Sequence, residues 1–403
     1  MKILLVNSNL LNLTTKVGQI RTFETLRSLH KRHEIHYVTF VDDDPSGAEG
    51  VRAASEYCSR LHTLPRRLVS KTSPRFALDL AAGVFHPMPI AVRRYYDPAM
   101  ARLIGELLAR ESFDRAVCDF LVPAAHFPDL SRCLFFPHNV ETLIWRRHAE
   151  TAADPVRRWY FGLQAKKMFR YEGQVARQAG HIVAVSAKEA ELFQSMFGAA
   201  GAAYTATGVN LDYFTPPDPL PECPAHDLVF VGSMDYLPNI DGVSWFVRDI
   251  LPLIRRQRPE TTLAVVGRSP SSAVCELAQE AGGVTVTGTV PDVRPYLWGA
   301  ALSIVPLRIG GGTRLKIYES MGARTPILST TIGAEGLDID PPRNIRLADT
   351  AEGFASQTLE LLGDAGTRHA IAEAAWNMVE SRFTWPRIAE QFEGILQDSP
   401  AAG

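Results

Sequence analysis

What most constrains the fold of this chain is a rhythm of short apolar runs and helical stretches, interrupted once by a proline cluster and then resumed. Lys2-Ile3-Leu4-Leu5-Val6 is an apolar run of the kind buried on both faces of a parallel sheet. A polar loop and a helical stretch over 19–30 follow, then His36-Tyr37-Val38-Thr39-Phe40, rich in β-formers. Strand, helix and strand in this order make a βαβ unit. The pattern recurs, with 103–108 helical and 115–118, 133–136 and 181–185 extended. Thr215-Pro216-Pro217-Asp218-Pro219-Leu220-Pro221 cannot continue a helix or a central strand, so it reads as a linker. The rhythm then restarts with Leu228-Val229-Phe230-Val231, a helix over 243–256 and Leu263-Ala264-Val265-Val266. Val284-Thr285-Val286, Leu302-Ser303-Ile304-Val305 and Pro326-Ile327-Leu328-Ser329 continue it, and Arg382-Phe383-Thr384-Trp385-Pro386 breaks it before a last helical stretch. The expected architecture is α/β: two tandem Rossmann-like, doubly wound domains facing a cleft. The expected bounds are 1–212 and 225–382, with a linker at 213–224 and a terminal helical segment at 383–403. Ligands bind beyond the carboxyl ends of such strands, so the loops there are the places to search.

Composition narrows the class. Of 403 residues, 46% are hydrophobic and 21% charged, which excludes a disordered or collagen-like chain. No apolar stretch approaches the ~20 residues that span a bilayer. The longest candidate, 296–307, contains Pro306. The first apolar run breaks at once into Asn7, Ser8 and Asn9, unlike a signal peptide, so a cytoplasmic protein is expected. Five scattered cysteines without a CxxC fit reduced thiols rather than disulfides or zinc. The net charge of −2 hides an asymmetry. Residues 1–210 carry 27 basic against 20 acidic side chains, and 211–403 carry 15 against 24, which points to two domains with different partners.

The strongest chemical signal is Arg308-Ile309-Gly310-Gly311-Gly312-Thr313-Arg314-Leu315-Lys316-Ile317-Tyr318-Glu319, placed after a strand and opening a helix. Consecutive glycines let the backbone approach a ligand closely, and free amides at a helix start suit a phosphate. Arg314 and Lys316 add cationic donors for a diphosphate. Glu319, about one turn on, is placed to accept from a ribose diol. A glycine run that merely turns the chain is the bland alternative.

Residues 310–330 closely resemble the nucleotide-binding segment of GT-B glycosyltransferases of family GT4. Val229-Phe230-Val231-Gly232-Ser233-Met234-Asp235-Tyr236-Leu237-Pro238-Asn239 is similar to another of its segments, as are Val265-Val266-Gly267-Arg268, Val286-Thr287-Gly288-Thr289-Val290-Pro291-Asp292-Val293 and Thr207-Gly208-Val209-Asn210-Leu211-Asp212-Tyr213-Phe214. Ile20-Arg21-Thr22 and Pro137-His138-Asn139-Val140-Glu141-Thr142 resemble a branch of sugar transferases from surface-polysaccharide systems. The resemblance implies retaining transfer of a sugar from a nucleotide diphosphate sugar, with no metal or other cofactor. It implies base contacts from the backbone at Thr289 and Val290, ribose at Glu319, and diphosphate at Gly311, Gly312, Thr313, Arg314 and Lys316. It also implies a final helix that crosses back to the first domain. Two departures stand out. Gly311 occupies the first position of an E-x7-E pair whose second is Glu319. Ser233 and Pro238 occupy positions where many members carry Arg and Lys, so Ser233 joins the donor-binding candidates while Arg314 and Lys316 supply the cations. The lost glutamate keeps two rivals open: a nucleotide-sugar-binding scaffold without turnover, and an epimerase acting on the nucleotide sugar itself.

The family places an active-site histidine in the loop that here holds His138, after Leu134-Phe135-Phe136. Histidine titrates near neutrality and can hydrogen-bond a sugar hydroxyl or leaving group. On its own a single loop histidine is more often just a satisfied polar residue. Glu141, three residues on, is either its orienting partner or the start of a helix. In the first loop, 9–20, Gly18 with Thr14, Thr15 and Lys16 is a candidate phosphate contact, and no GxGxxG follows the first strand. Asp42-Asp43-Asp44 reads as a solvated turn rather than a metal site, and His30, His33 and His36 do not share a helical face. Residues 145–178 carry eight cations against three acids, with interleaved aromatics. Such a stretch either packs its apolar stripe inward or docks on an anionic membrane. The expected partners are therefore a nucleotide-sugar donor and an acceptor glycan, lipid-linked sugar or small molecule. A peripheral place at the inner membrane face is also expected, and no nucleic acid.

Overall fold

The computed structural model describes residues 1–11, 17–66, 73–152, 154–309 and 314–402. The chain forms two compact units: Met1–Ala206 together with Ile388–Gly403, and Thr207–Arg387.

The first unit is built on a seven-stranded sheet. Its strands are β1 (Lys2–Val6), β2 (Glu34–Val41), β3 (Arg60–Pro65), β4 (Arg115–Asp119), β5 (Cys133–Phe136), β6 (His181–Ala184) and β7 (Ala202–Tyr204). Their order is β3-β2-β1-β4-β5-β6-β7 and every pair is parallel. Leu4, Val6, Cys118 and Phe135 enter one buried cluster, while Ile3, Leu5, Val117 and Phe136 enter another. Alternate residues thus feed two cores on opposite faces, which is why these strands read as unbroken apolar runs. The edge strands β3 and β7 are half-exposed and escape a search for such runs. Pro65 ends β3, where an edge tolerates it.

The helix Trp385–Asp398 ends on this unit. Phe392 meets Phe136 with ring centroids 4.7 Å apart, and Glu393 pairs with Arg32 and His33. Arg115 donates to the carbonyls of Leu396 and Gln397.

The second unit holds a six-stranded parallel sheet of order β10-β9-β8-β11-β12-β13. The strands are β8 (His226–Val231), β9 (Leu263–Val266), β10 (Val284–Gly288), β11 (Ala300–Val305), β12 (Ile327–Ser329) and β13 (Arg346–Leu347). Residues 207–210 join this unit through Val209, which donates to the Phe383 carbonyl at 2.8 Å. Gly208 allows that approach, since a Cβ there would lie 2.6 Å from the Trp385 ring. The proline run carries no helix or strand, and its entry is held by Trp298 and Trp376, which donate to the Phe214 carbonyl and the Thr215 hydroxyl.

In both sheets the strand order reverses direction once, between β1 and β4 and between β8 and β11. Crevices form beyond the carboxyl ends of the strands at such reversals.

Candidate functional site

At the reversal in the first unit, Asn7 follows β1, Asp119 ends β4 and His138 lies two residues beyond β5. The helix Val17–Leu29 brings Gly18, Arg21 and Thr22 over them. Asp119 is fully buried and its carboxylate accepts from three side chains: His138 Nε2 at 2.7 Å, Thr22 Oγ1 at 2.8 Å and Asn7 Nδ2. A carboxylate only accepts, so the imidazole proton is assigned to Nε2 and the lone pair to Nδ1. Among the described residues Nδ1 is buried and has no hydrogen-bond partner.

Phe120 stacks on the imidazole, with centroids 3.9 Å apart and planes 15° apart. Its backbone is left-handed (φ 68°), an uncommon state for a bulky residue that turns the chain so that the ring covers His138. Gly18 completes the seat. A Cβ there would lie 2.7 Å from Phe120 Cζ and 3.2 Å from His138 Nδ1.

Burial, reinforced by the nearby Arg21 guanidinium, lowers the His138 pKa despite the Asp119 carboxylate. Arg21 is itself buried, donates to Thr205 and the Ala184 carbonyl, and lies 4.5 Å from the Phe136 ring centroid. Desolvation brings its pKa down to about 9. The imidazole is therefore neutral near pH 7, with one nitrogen committed and the other able to accept from a hydroxyl.

Glu141 does not orient His138. It begins the helix Glu141–Thr151, and burial pushes its carboxyl up to about 7. Glu172 caps that helix, accepting from the amides of Glu141 and Thr142 at 2.8 Å each. The partner supplied by the fold is Asp119, one residue beyond the extended stretch 115–118, and the sequence offered no signal that sets it apart from any other strand end. Thr14, Thr15 and Lys16 lie outside the described residues. Asp44 caps the helix Pro45–Ala53 by accepting from the Gly47 amide, and Asp42 pairs with Arg66. Among the described residues no three His, Cys, Asp or Glu side chains gather to hold a metal ion.

In the second unit, the loops after β8, β9 and β10 carry Ser233, Arg268 and Thr289-Val290, and the helix Leu315–Gly322 after β11 carries Lys316 and Glu319. Lys316 Nζ donates to Asn239 Oδ1 at 2.8 Å and lies 4.4 Å from the Phe230 ring centroid. Asn239 Nδ2 donates to the Ser233 carbonyl at 2.8 Å. Gly232 makes room for both, since a Cβ there would lie 2.7 Å from Asn239 Nδ2 and 2.8 Å from Lys316 Nζ. Desolvation, with the Arg314 charge adding to it, lowers the Lys316 pKa to about 7. Burial raises Glu319 to about 7 against the pull of Lys316.

Ser233 Oγ donates to Asp235 and accepts from Arg268 Nε at 2.9 Å. Arg268 thus brings an exposed guanidinium to the loop where Ser233 itself has none. Arg314 is buried at the start of the 315–322 helix. Thr289 is exposed and Val290 half-buried, directly after Gly288 in its left-handed turn (φ 67°). Gly310, Gly311, Gly312 and Thr313 lie outside the described residues. The segment leading to them is anchored by the two-bond pair of Arg308 with Asp241, at 2.7 and 3.1 Å. Asn239 and Arg268 both stand in segments of family resemblance, yet nothing in sequence spacing brings them to Lys316 and Ser233.

Residues 225–364 match the family model described as Glycosyl transferases group 1. A Klebsiella pneumoniae protein described as an uncharacterized 44.6 kDa protein in cps region is 20% identical over 180 residues, covering 43% of this chain and 46% of the relative. The match therefore spans about half the length of that relative. Among solved structures, sucrose-phosphate synthase from Thermosynechococcus elongatus superposes with a TM-score of 0.67 at 18% identity, covering 98% of each chain. HepE from Anabaena in complex with UDP also gives 0.67, at 13% identity, covering 99% of this chain and 100% of that one. The two parallel sheets are those of GT-B glycosyltransferase structures. The chain is a GT-B-fold protein whose residues 225–364 match the Glycosyl transferases group 1 family.

Proposed function

We propose that the protein transfers a sugar from a nucleoside diphosphate sugar to a hydroxyl of a glycan, lipid-linked or small-molecule acceptor, with retention at the anomeric carbon and without a metal, as in GT4. The observation that carries this reading is the Gly232–Asn239–Lys316 cluster at the β8/β11 reversal, inside the segment that matches the family. The solved HepE complex with UDP-glucose, at 14% identity, fits the same class of donor. Lys316 takes the diphosphate, joined by Arg314, Ser233 and the amides of Gly311, Gly312 and Thr313. Glu319 takes the ribose, and the backbone at Thr289 and Val290 takes the base. His138, with Gly18 beside it, accepts from a hydroxyl of the sugar or acceptor through Nδ1. The Klebsiella relative from a cps region favours surface polysaccharide as the destination.

Calorimetry with UDP and GDP, followed by nucleoside diphosphate release from a donor panel with and without acceptors, tests the reading. Release that depends on acceptor, an α-product from an α-donor by NMR, and rates indifferent to EDTA are expected. Tight binding with no release would move the reading to a scaffold. Conversion of the donor alone would move it to an epimerase.

A further inference from the structure

Among the described residues the four most exposed large apolar side chains are Phe85 (91%), Val156 (72%), Leu78 (71%) and Trp159 (58%). All four belong to two helices of the first unit, Pro74–Phe85 and Pro155–Gln178. On the first, Leu78, Ala81, Ala82 and Phe85 are all exposed. Their i, i+3, i+4, i+7 spacing is that of an apolar stripe normally turned into a core. Here the stripe faces water, and the helix is tied down by its other side. Lys167 Nζ donates to the carbonyls of Gly83, Val84 and His86 at 2.6, 2.8 and 2.6 Å, gathering three acceptors at its C-terminal end. Arg94 lies 4.7 Å from the Phe76 ring centroid.

The two helices pack together at the buried Gly83, on the side of the first helix away from its exposed stripe. A Cβ on Gly83 would sit 3.5 Å from the Tyr160 hydroxyl. Val156 is one turn before Tyr160 on the same helical face, and Trp159 adjoins it. Trp159, Lys166 and Arg170 repeat at i, i+7 and i+11, so the exposed indole heads a basic stripe. Over 145–170 the exposed cations are Arg146, Arg147, Arg157, Arg158, Lys166 and Arg170, against exposed Glu150 and Asp154. Asp154 is engaged at 2.8 Å by the Arg157 amide as a helix cap.

We propose that this face docks on the surface of an anionic lipid bilayer, with Phe85, Leu78, Val156 and Trp159 entering the headgroup region and the arginines meeting lipid phosphates. Projecting apolar side chains accompanied by an excess of exposed cations match that chemistry. A second copy of the chain would bring the same cations against one another. The inference rests on this surface alone and is independent of the transfer reaction.

The test is co-sedimentation of the full chain with vesicles of phosphatidylcholine alone, or with about one third phosphatidylglycerol. Partitioning to the anionic vesicles only, weakened as salt shortens the screening length, is expected. Arg157→Glu with Arg158→Glu, and separately Leu78→Ser with Phe85→Ser, each lower partitioning by about tenfold or more. Circular dichroism melts serve as the fold control. A blue shift of tryptophan emission on vesicle binding shrinks in Trp159→Phe. No binding of the unaltered protein to anionic vesicles, or unchanged binding by both double variants, overturns the proposal. So does a dimer in solution that Leu78→Ser with Phe85→Ser dissociates, which would make the face a contact between copies.

Discussion

Replacing Asp119 by Asn tests the logic of the first unit most directly. The native carboxylate is fully buried and satisfies three donors, from His138, Thr22 and Asn7. Asparagine keeps one acceptor oxygen, which Thr22 and Asn7 can share, but turns an amide N–H toward His138 Nε2. Two donors cannot face each other, so the imidazole must move its proton to Nδ1 and present its lone pair to the new amide. Loss of the charge-assisted bond costs about 2 kcal/mol. In a unit of this size that lowers Tm by roughly 4–8 °C. Asp119→Ala removes every acceptor, leaves three buried donors unsatisfied and costs about 3–5 kcal/mol. Calorimetry reads the stability, and nitrogen-15 NMR of the His138 ring reads the tautomer. A variant Asp119→Asn that melts with the parent and keeps its proton on Nε2 would refute the reasoning. Donor binding by the second unit should be the same in both proteins.

In the second unit, Lys316→Met should raise the Kd for UDP at least about tenfold by removing a cationic donor. The folded amine gives up its proton at about 7. Parent affinity therefore falls as pH rises through neutrality, while the variant stays flat. The unfolded chain holds that proton up to about 10.4, so stability rises between about pH 7 and 10, a slope that Lys316→Met removes in pH-dependent urea titrations. Gly267→Ala should cost more than about 3 kcal/mol and is read by denaturant midpoint. Its backbone has φ 154°, and a Cβ would lie 1.7 Å from the Gly232 carbonyl oxygen. Gly18→Ala should cost about 1–3 kcal/mol by driving Phe120 off the imidazole, and it should lower product formation more than donor affinity. Equal losses in both would place the effect on folding alone.

The central strands were legible in the sequence because burial on both faces demands consecutive apolar residues, as in Lys2–Val6 and Leu263–Val266. The edge strand β10 was read at Val284-Thr285-Val286, but the edge strands β3, β7 and β13 were not. β13 has two residues and β7 three, and their pairing is decided by the neighbouring strand rather than by their own side chains. The glycine-rich segment, Lys316 and Glu319 stood out by composition, since a glycine run with cations before a helix carries its chemistry locally. Asp119 did not stand out, because one carboxylate after an apolar run looks like any strand end until the sheet order sets it beside Asn7 and His138.

The amino-acid sequence alone determined where the central strands lie, that they wind into parallel α/β sheets, and which loop resembles a nucleotide-binding one. These properties follow from periodicity and from residue types within a few positions of each other. Only the tertiary structure decided which nitrogen of His138 is left to accept, that Asn239 holds Lys316, and that the apolar stripe ending at Phe85 faces water. Each depends on side chains brought together across tens of residues by strand order, and spacing along a chain does not encode which groups share a desolvated volume.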